Sequence, residues 1–270
     1  RAVLDEGTRL DQALEAGRPL AELATRDRAF ARMMVATTLR RLSQIDGLID
    51  HCLERPLGAE NAPATHAMRL GICQLVFLST PPHAAVDSAV RLVADGPSSR
   101  LKGLVNAVLR RITREGKALE TAQDGVRMNT PDWLWRSWSR AFGKDTCRDM
   151  ALAHLSEPPL DVTVKEDTDG WANRLDGLVL DLGMVPRMGG TVRRTGGGAP
   201  DTLAGFGDGG WWVQDVAAAL PARLLLAGLE GDVAGQPVID LCAAPGGKTA
   251  QLAAAGAKVT AIDNIEARIN

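Results

Sequence analysis

The residues with the clearest chemical potential lie near the end of the chain, between Asp240 and Asp263. A short apolar strand leads into the turn Pro245-Gly246-Gly247, and a helix-forming run starts at Lys248. Glycines let a backbone approach a ligand closely, and N–H groups at a helix start bind carboxylate or phosphate groups. A second apolar run ends in Asp263, about 20 residues beyond the turn, where a carboxylate accepts hydrogen bonds from ribose hydroxyls. This order predicts the start of a doubly wound α/β sheet that binds a nucleoside-type ligand.

Three nucleotide-type ligands compete for this site. A dinucleotide site needs G-x-G-x-x-G, which Ala244-Pro245-Gly246-Gly247 does not supply. A phosphate-binding P-loop needs G-x-x-x-x-G-K-[ST]; Gly247-Lys248-Thr249 matches its end, but Cys242 replaces the first glycine and Pro245 lacks an amide donor. S-adenosylmethionine suits both halves, because turn amides would face its methionine part and Asp263 its ribose. The P-loop is the strongest rival.

A local excess of positive charge lies on a predicted helix in the first half of the chain. The net charge of the whole chain is −2, so a cluster of cations indicates a directed surface for polyanions rather than general attraction. The alternative is an ordinary solvated helix face. We predict RNA-binding residues at Arg100, Lys102, Arg110, Arg111 and Arg114.

Cysteine and histidine usage argues against a metal site and against a disulfide framework. The four cysteines are widely spread and none stands in a C-x-x-C pair, and the four histidines are equally scattered. Apolar runs fall far short of the ~18–20 residues that a bilayer requires, and the charged first residues do not resemble a signal peptide. We therefore expect a cytoplasmic protein without a metal ion and without membrane association.

The first 117 residues show an almost continuous helical period. Apolar side chains recur at three- and four-residue steps, as in Leu101, Leu104, Val108 and Ile112. Proline and glycine punctuation divides this region into about five helices, which predicts an all-helical bundle. The apolar period fades between Gly116 and Pro131, where we place a domain boundary.

Mixed structure is predicted beyond that boundary. A helix that starts at Pro131-Asp132 carries a tryptophan cluster, which either forms a base-stacking platform or, as we favour, anchors a small subdomain by packing. Residues 160–164 alternate as a strand, residues 169–182 predict a helix, and the glycine-rich residues 183–210 predict turns and short strands. The cluster comprises Trp133, Trp135 and Trp138. In the glycine-rich stretch, Arg187, Arg193 and Arg194 form a second basic group, which faces either RNA or, nearly as well, only solvent.

Several segments resemble the Sun/Fmu (RsmB-like) family of ribosomal RNA cytosine-C(5) methyltransferases. The string Asp240-Leu-Cys-Ala-Ala-Pro-Gly-Gly-Lys-Thr249 is similar to its cofactor motif, and Trp212-Val-Gln-Asp215 resembles the segment before its catalytic domain. Four segments of the first half resemble the family's NusB-like domain: Leu39-Arg-Arg-Leu-Ser-Gln-Ile-Asp46, Ile72-Cys-Gln-Leu75, Pro81-Pro-His-Ala-Ala85 and Leu101-Lys-Gly-Leu-Val-Asn-Ala-Val-Leu-Arg-Arg111.

This resemblance covers essentially the whole chain and implies three domains. They are a NusB-like helical RNA-binding domain (1–127), a connecting α+β subdomain (128–205) and the first part of a Rossmann-like methyltransferase domain (206–270). The implied activity is S-adenosylmethionine-dependent methylation of a cytosine in small-subunit ribosomal RNA by a monomeric enzyme. The implied cofactor-binding residues are Cys242, Ala243, Ala244, Pro245, Gly246, Gly247, Lys248 and Asp263.

The family's two catalytic cysteines lie on strands downstream of the cofactor turn, beyond the residues present here. We therefore predict no catalytic residue in this chain and expect that the native protein is longer, since two parallel strands cannot cover their apolar faces. Cys242 lies in the turn and is predicted to be a small buried residue. The alternatives to the methyltransferase are a non-catalytic RNA-binding module of antitermination type and a P-loop NTPase.

Overall fold

The computed structural model describes residues 1–16, 20, 22–182, 189–195 and 200–264. The chain divides into two compact units, Arg1–Glu157 and Pro158–Asn270, and each is described by itself. This division is coarser than the three predicted domains, so the boundaries at 127/128 and 205/206 stay predictions.

The first unit is entirely helical in its described part. The helices are α1 Leu10–Glu15, α2 Thr25–Arg40, α3 Leu42–Cys52, α4 Ala62–Ile72, α5 Pro82–Ala94, α6 Lys102–Thr121, α7 Gly125–Met128, α8 Asp132–Phe142 and α9 Lys144–His154. One π-helical turn, Cys73–Phe77, extends α4, and short 3₁₀ turns precede α4 and α6.

The core of this unit forms where the predicted apolar stripes of α3 to α6 meet. Ile45, Met68 and Leu109 are completely buried in it. Gly71 brings α4 close to α6, because a Cβ there would lie 2.8 Å from the side-chain methyl groups of Leu109. The predicted all-helical bundle is therefore present, and its packing follows the sequence period.

Polar contacts attach the last three helices to this bundle. The Asn129 side chain accepts a hydrogen bond from the Ser43 N–H at 3.1 Å and donates one to the Gln44 side chain at 2.9 Å. Arg148 on α9 donates two hydrogen bonds, at 3.0 and 3.1 Å, to the Asp124 carboxylate that caps α7. The tryptophan helix α8 thus belongs to the same compact unit as α1 to α7.

In its described residues, the second unit combines two small sheets with three α-helices and one 3₁₀ turn, Pro200–Thr202. Its described elements are β1 Leu160–Val164, α10 Thr168–Arg174, β2 Gly177–Leu180, β3 Thr191–Arg194, β4 Trp211–Val213, α11 Val216–Gly228, β5 Pro237–Asp240, α12 Gly247–Ala254 and β6 Lys258–Ala261. The first sheet is antiparallel in the order β2-β3-β1-β4, and the second pairs β5 and β6 in parallel.

The strand predicted at residues 160–164 is confirmed, and the helix predicted at 169–182 is confirmed up to Arg174 but wrong beyond it. That helix ends at Arg174, Asp176 takes a left-handed backbone with φ 51°, and β2 follows at once. Residues 177–180 form a strand because they pair with β3, from Gly177 opposite Arg194 to Leu180 opposite Thr191. A pairing partner distant in sequence outweighs local helical propensity here.

The predicted strand, turn, helix and strand near the end of the chain are confirmed as β5, α12 and β6. Apolar side chains of α11 and α12 pack against these strands, with Ala222, Leu226 and Leu252 each 3% exposed. The predicted fold class, a helical bundle followed by mixed structure and the opening of an α/β domain, is therefore observed. In the described part of the chain, no helix has the length and apolar character needed to cross a membrane.

Candidate cofactor site

Asp240 ties the end of the first parallel strand to the helix that follows the turn. Its Oδ1 accepts a hydrogen bond from the Cys242 N–H at 3.3 Å, and its Oδ2 accepts one from the Thr249 hydroxyl at 2.7 Å. Both ends of the turn are thus held by one carboxylate. Sequence reasoning assigned no role to Asp240, although its position directly at a strand end was a usable signal.

The turn also meets the end of the second strand. The Ala244 N–H donates a hydrogen bond to Asp263 Oδ2 at 3.1 Å, and the Ala243 N–H donates to the Ile262 carbonyl at 3.1 Å. The turn and the acid that the sequence predicts to bind one ligand are therefore adjacent.

Glycine is required at two positions of the turn for different reasons. Gly246 has a φ of +99°, which L side chains rarely adopt. Gly247 starts α12 beside the Gln214 side chain, whose Cδ would lie 3.2 Å from an added Cβ. The Ala244–Pro245 peptide bond is cis. Gly246 and Gly247 therefore leave the N-terminal end of α12 without side-chain bulk.

A buried pair of glutamines fixes α12 from behind. Gln214 Nε2 donates to Gln251 Oε1 at 2.7 Å, and Gln251 Nε2 donates to the Ala219 carbonyl at 3.2 Å. Gln251 is completely buried, and the Trp212 indole N–H donates to Gln214 Oε1 at 2.9 Å. These contacts link α11, α12 and β4. Sequence reasoning noted the Trp212–Asp215 segment only as a resemblance and missed this supporting role.

The first amides of α12 suit an anionic group but not a polyphosphate. The N–H groups of Gly247, Lys248 and Thr249 have no hydrogen-bond partner among the described residues, and a helix start carries partial positive charge. However, Asp263 places a carboxylate at the mouth of the turn, and the Thr249 hydroxyl donates to Asp240. Two carboxylates would repel a triphosphate, which disfavours the P-loop alternative.

Cys242 is exposed, so the prediction that it is a small buried residue is wrong. The reason is that β5 ends at Asp240, and the chain leaves the sheet at Cys242. Burial raises the pKa of the Cys73 thiol, and desolvation also raises that of Cys52. Cys147 is buried and donates to the Trp135 carbonyl at 3.6 Å. We assign no catalytic cysteine among the described residues.

The five predicted RNA-binding residues do not form one uniform patch. Arg110 and Arg114 are exposed and line a concavity of about 490 Å³ between α5 and α6, together with His83. Lys102 is also exposed, about 12 Å along the helix axis from Arg110 at 1.5 Å per residue. These three cations remain candidates for contact with a polyanion.

Arg100 and Arg111 are partly engaged within the protein. Arg100 Nη2 donates to Asn61 Oδ1 at 3.0 Å. Arg111 donates to Glu115 at 3.0 Å and to the His51 carbonyl at 3.2 Å, and the Glu115 hydrogen bond raises the pKa of this guanidinium. The second basic group is also divided, because Arg193 pairs with Asp161, Arg194 donates to the Leu175 carbonyl, and Arg187 lies outside the described residues.

Across the described ranges, histidine, cysteine and acidic side chains form no group of three that could hold a metal ion. Residues 2–114 match the NusB family. Over 280 aligned residues the chain is 32% identical to "Ribosomal RNA small subunit methyltransferase B" of Salmonella paratyphi B, and the alignment covers 99% of this chain and 62% of that protein. The protein of the same name from Salmonella arizonae is 31% identical with the same coverage.

Along nearly its whole length, the chain is similar to these members of the Sun/Fmu family. It spans 62% of the length of these curated relatives of the Sun/Fmu family. A solved structure described as "Crystal Structure of PH0851" superposes with a TM-score of 0.65 at 20% identity, covering 98% of this chain and 61% of that one. The expected fold, with a NusB-like helical domain in front of an α/β region, is thereby confirmed.

Proposed function

We propose that this protein takes part in S-adenosylmethionine-dependent methylation of carbon-5 of a cytosine in small-subunit ribosomal RNA. The observation that supports it most directly is the hydrogen bond of 3.1 Å between the Ala244 N–H and Asp263 Oδ2. This bond joins the glycine turn to the acid at the second strand end, which are the two groups that a nucleoside with a carboxylate tail needs. The relatives' printed name supplies the methyl-transfer reaction and the RNA.

The residues present fit the cofactor. The unbonded amides of the first turn of α12 suit its methionine carboxylate, and Asp263 suits its ribose hydroxyls. When bound, the cofactor supplies an electrophilic methyl group. The cofactor-binding set proposed from the sequence stays as stated, with Cys242 and Pro245 contributing at the exposed side of the turn and Lys248 at the start of the helix.

The cytosine chemistry is the finer part of the proposal. A thiolate that adds to carbon-6 of cytosine makes carbon-5 nucleophilic enough to accept a methyl group. We assign this thiolate to none of Cys52, Cys73, Cys147 or Cys242. Lys102, Arg110 and Arg114 are the proposed phosphate contacts of the helical unit, since their charged groups are exposed. We expect the enzyme to act in the cytoplasm as a monomer.

Calorimetry on the full-length protein tests the cofactor part. S-adenosylmethionine should bind, ATP with magnesium should not, and Asp263→Ala should weaken binding by about 1–3 kcal/mol through the loss of charged hydrogen bonds. Asp208→Ala, which removes an exposed acid of the same unit, is the matched control and should bind normally. Equal binding by the Asp263 variant and the parent protein would refute the assignment.

A transfer assay tests the reaction. Small-subunit ribosomal RNA should acquire a labelled methyl group, and bisulfite sequencing should place it at one cytosine. Label on another base would remove the cytosine assignment while leaving RNA methylation intact.

A non-catalytic RNA-binding module is the second candidate function, because the NusB family match covers residues 2–114 and does not include the cofactor turn. It predicts salt-dependent RNA binding without any methyl transfer by the full-length protein.

A further inference from the structure

The three tryptophans of α8 have different surroundings. Trp138 packs edge-on against His154, with ring centroids 5.2 Å apart, and the Arg127 guanidinium lies 5.2 Å from the Trp135 ring centroid. These two are partly buried and hold α8 against its neighbours, which confirms the packing interpretation for them. Trp133 differs, since 67% of it is exposed. Packing within the described residues therefore does not account for Trp133.

Trp133 is the first residue of a stripe along one face of α8. Arg136 and Ser137 lie three and four residues after Trp133, and Arg140 lies four residues after Arg136, so these side chains share one side of the helix. These side chains and Ala141 line a concavity of about 530 Å³. Arg136 Nε donates to the Asp132 carbonyl at 3.3 Å, and its charge helps to lower the pKa of the Asp132 carboxyl, whose ion pair is with Arg127. The stripe thus combines one indole face with two exposed guanidinium groups.

The stripe is held rigidly from the opposite side of the helix. The Cys147 thiol of α9 donates to the Trp135 carbonyl, and Trp138 contacts His154 at the end of α9. An indole side chain has only two torsions to fix when it stacks on a ligand, so it loses little conformational entropy. Apart from Trp133, the stripe carries only short or charged side chains, so it lacks the apolar core of a protein–protein interface. Its chemistry matches bases and phosphates better.

We propose that the α8 stripe is a binding site for single-stranded RNA. Trp133 stacks on one unpaired base, and Arg136 and Arg140 contact the phosphates next to it. Base stacking tolerates any sequence, so the stripe positions the RNA strand rather than selecting the modified nucleotide. This inference rests on the proposed function in one respect, namely that the substrate of the protein is RNA.

Fluorescence anisotropy of a labelled single-stranded RNA 12-mer with the full-length protein tests the proposal. Trp133→Ala should weaken binding about tenfold, within the range measured for loss of one stacked base, and Trp133→Phe should retain most of the affinity. Arg136→Ala with Arg140→Ala should reduce the slope of log K against log salt by about 1.4, at about 0.7 per phosphate contact of a single strand. Phe142→Ala is the matched control, because Phe142 is 57% exposed on α8 but lies about 180° around the helix from Trp133.

Two results would overturn the α8 stripe as an RNA site. One is RNA affinity of the Trp133→Ala protein within twofold of the parent, and the other is an equal loss in the Phe142→Ala protein. Calorimetry with S-adenosylmethionine separates this inference from the proposed function, because both Trp133 variants should bind the cofactor normally. If the protein failed to bind the cofactor but its RNA binding depended on Trp133, the α8 stripe would stand as an RNA site and the proposed methyltransferase function would be refuted.

Discussion

The ion pair between Arg193 and Asp161 offers the sharpest test of how the second unit is held together. Arg193 donates two hydrogen bonds of 2.8 Å to the Asp161 carboxylate, and the Val216 N–H at the start of α11 donates a third at 3.2 Å. The Asp161 side chain is 1% exposed and that of Arg193 is 36% exposed. One buried anion thereby joins β1, β3 and the helix that supports the cofactor turn.

Arg193→Met keeps the aliphatic length of the side chain but leaves a buried carboxylate with one donor. Removing one partner of a fully buried ion pair costs roughly 3–5 kcal/mol, and the partial exposure of Arg193 admits water that reduces this cost. We therefore expect a loss of about 2–3 kcal/mol in local unfolding free energy. Asp161→Asn should also destabilise, and the double variant should recover part of the loss because no unpaired charge is left.

Hydrogen–deuterium exchange measures this locally, through the amides of β1 and β3. Arg148→Met is the matched control, because Arg148 and Asp124 form the same two-bond geometry with side chains that are 53% and 49% exposed. Because water screens both charges, that pair should contribute much less than the buried one. Equal effects of the Arg193 and Arg148 variants would refute the argument that burial sets the difference.

Three further predictions concern backbone space and charge. Gly71→Ala should destabilise the helical unit by about 1–3 kcal/mol because its Cβ would lie 2.8 Å from core methyl groups, whereas Gly103→Ala, which meets open space, should stabilise it slightly; urea unfolding compares the two. A hydrogen bond from Arg148 lowers the pKa of Asp124 below 3.8. The pair therefore stabilises the unit above that pH, and its contribution is lost as the pH falls through the lowered pKa. If the Tm of Arg148→Met declined with acid as steeply as that of the parent, this prediction would be contradicted. Gly246→Ala should weaken S-adenosylmethionine binding at least severalfold, since φ +99° strains any L side chain, and calorimetry would show normal affinity if the turn were not the binding element.

The sequence by itself determined the features that depend on neighbours along the chain. Helical periods encode which face of each helix is apolar, so the stripe from Leu101 to Ile112 predicted a bundle helix before any packing was known. Strand, glycine turn, helix and terminal acid likewise follow each other within the segment 237–263, and the structure places β5, α12 and β6 there. Such patterns are local because the hydrogen bonds of a helix or a tight turn close within a few residues.

Only the tertiary structure decided which partner each side chain finds. In the sequence, Arg193 belongs to an apparently exposed basic group, but in the structure it neutralises the buried Asp161. Residues 177–180 form a strand because β3 lies beside them. Trp133 and Trp135 are the same residue type on the same helix, yet Trp133 is exposed and Trp135 packs under Arg127. The physical reason is that burial and charge pairing depend on residues distant along the chain, whose positions no local period encodes.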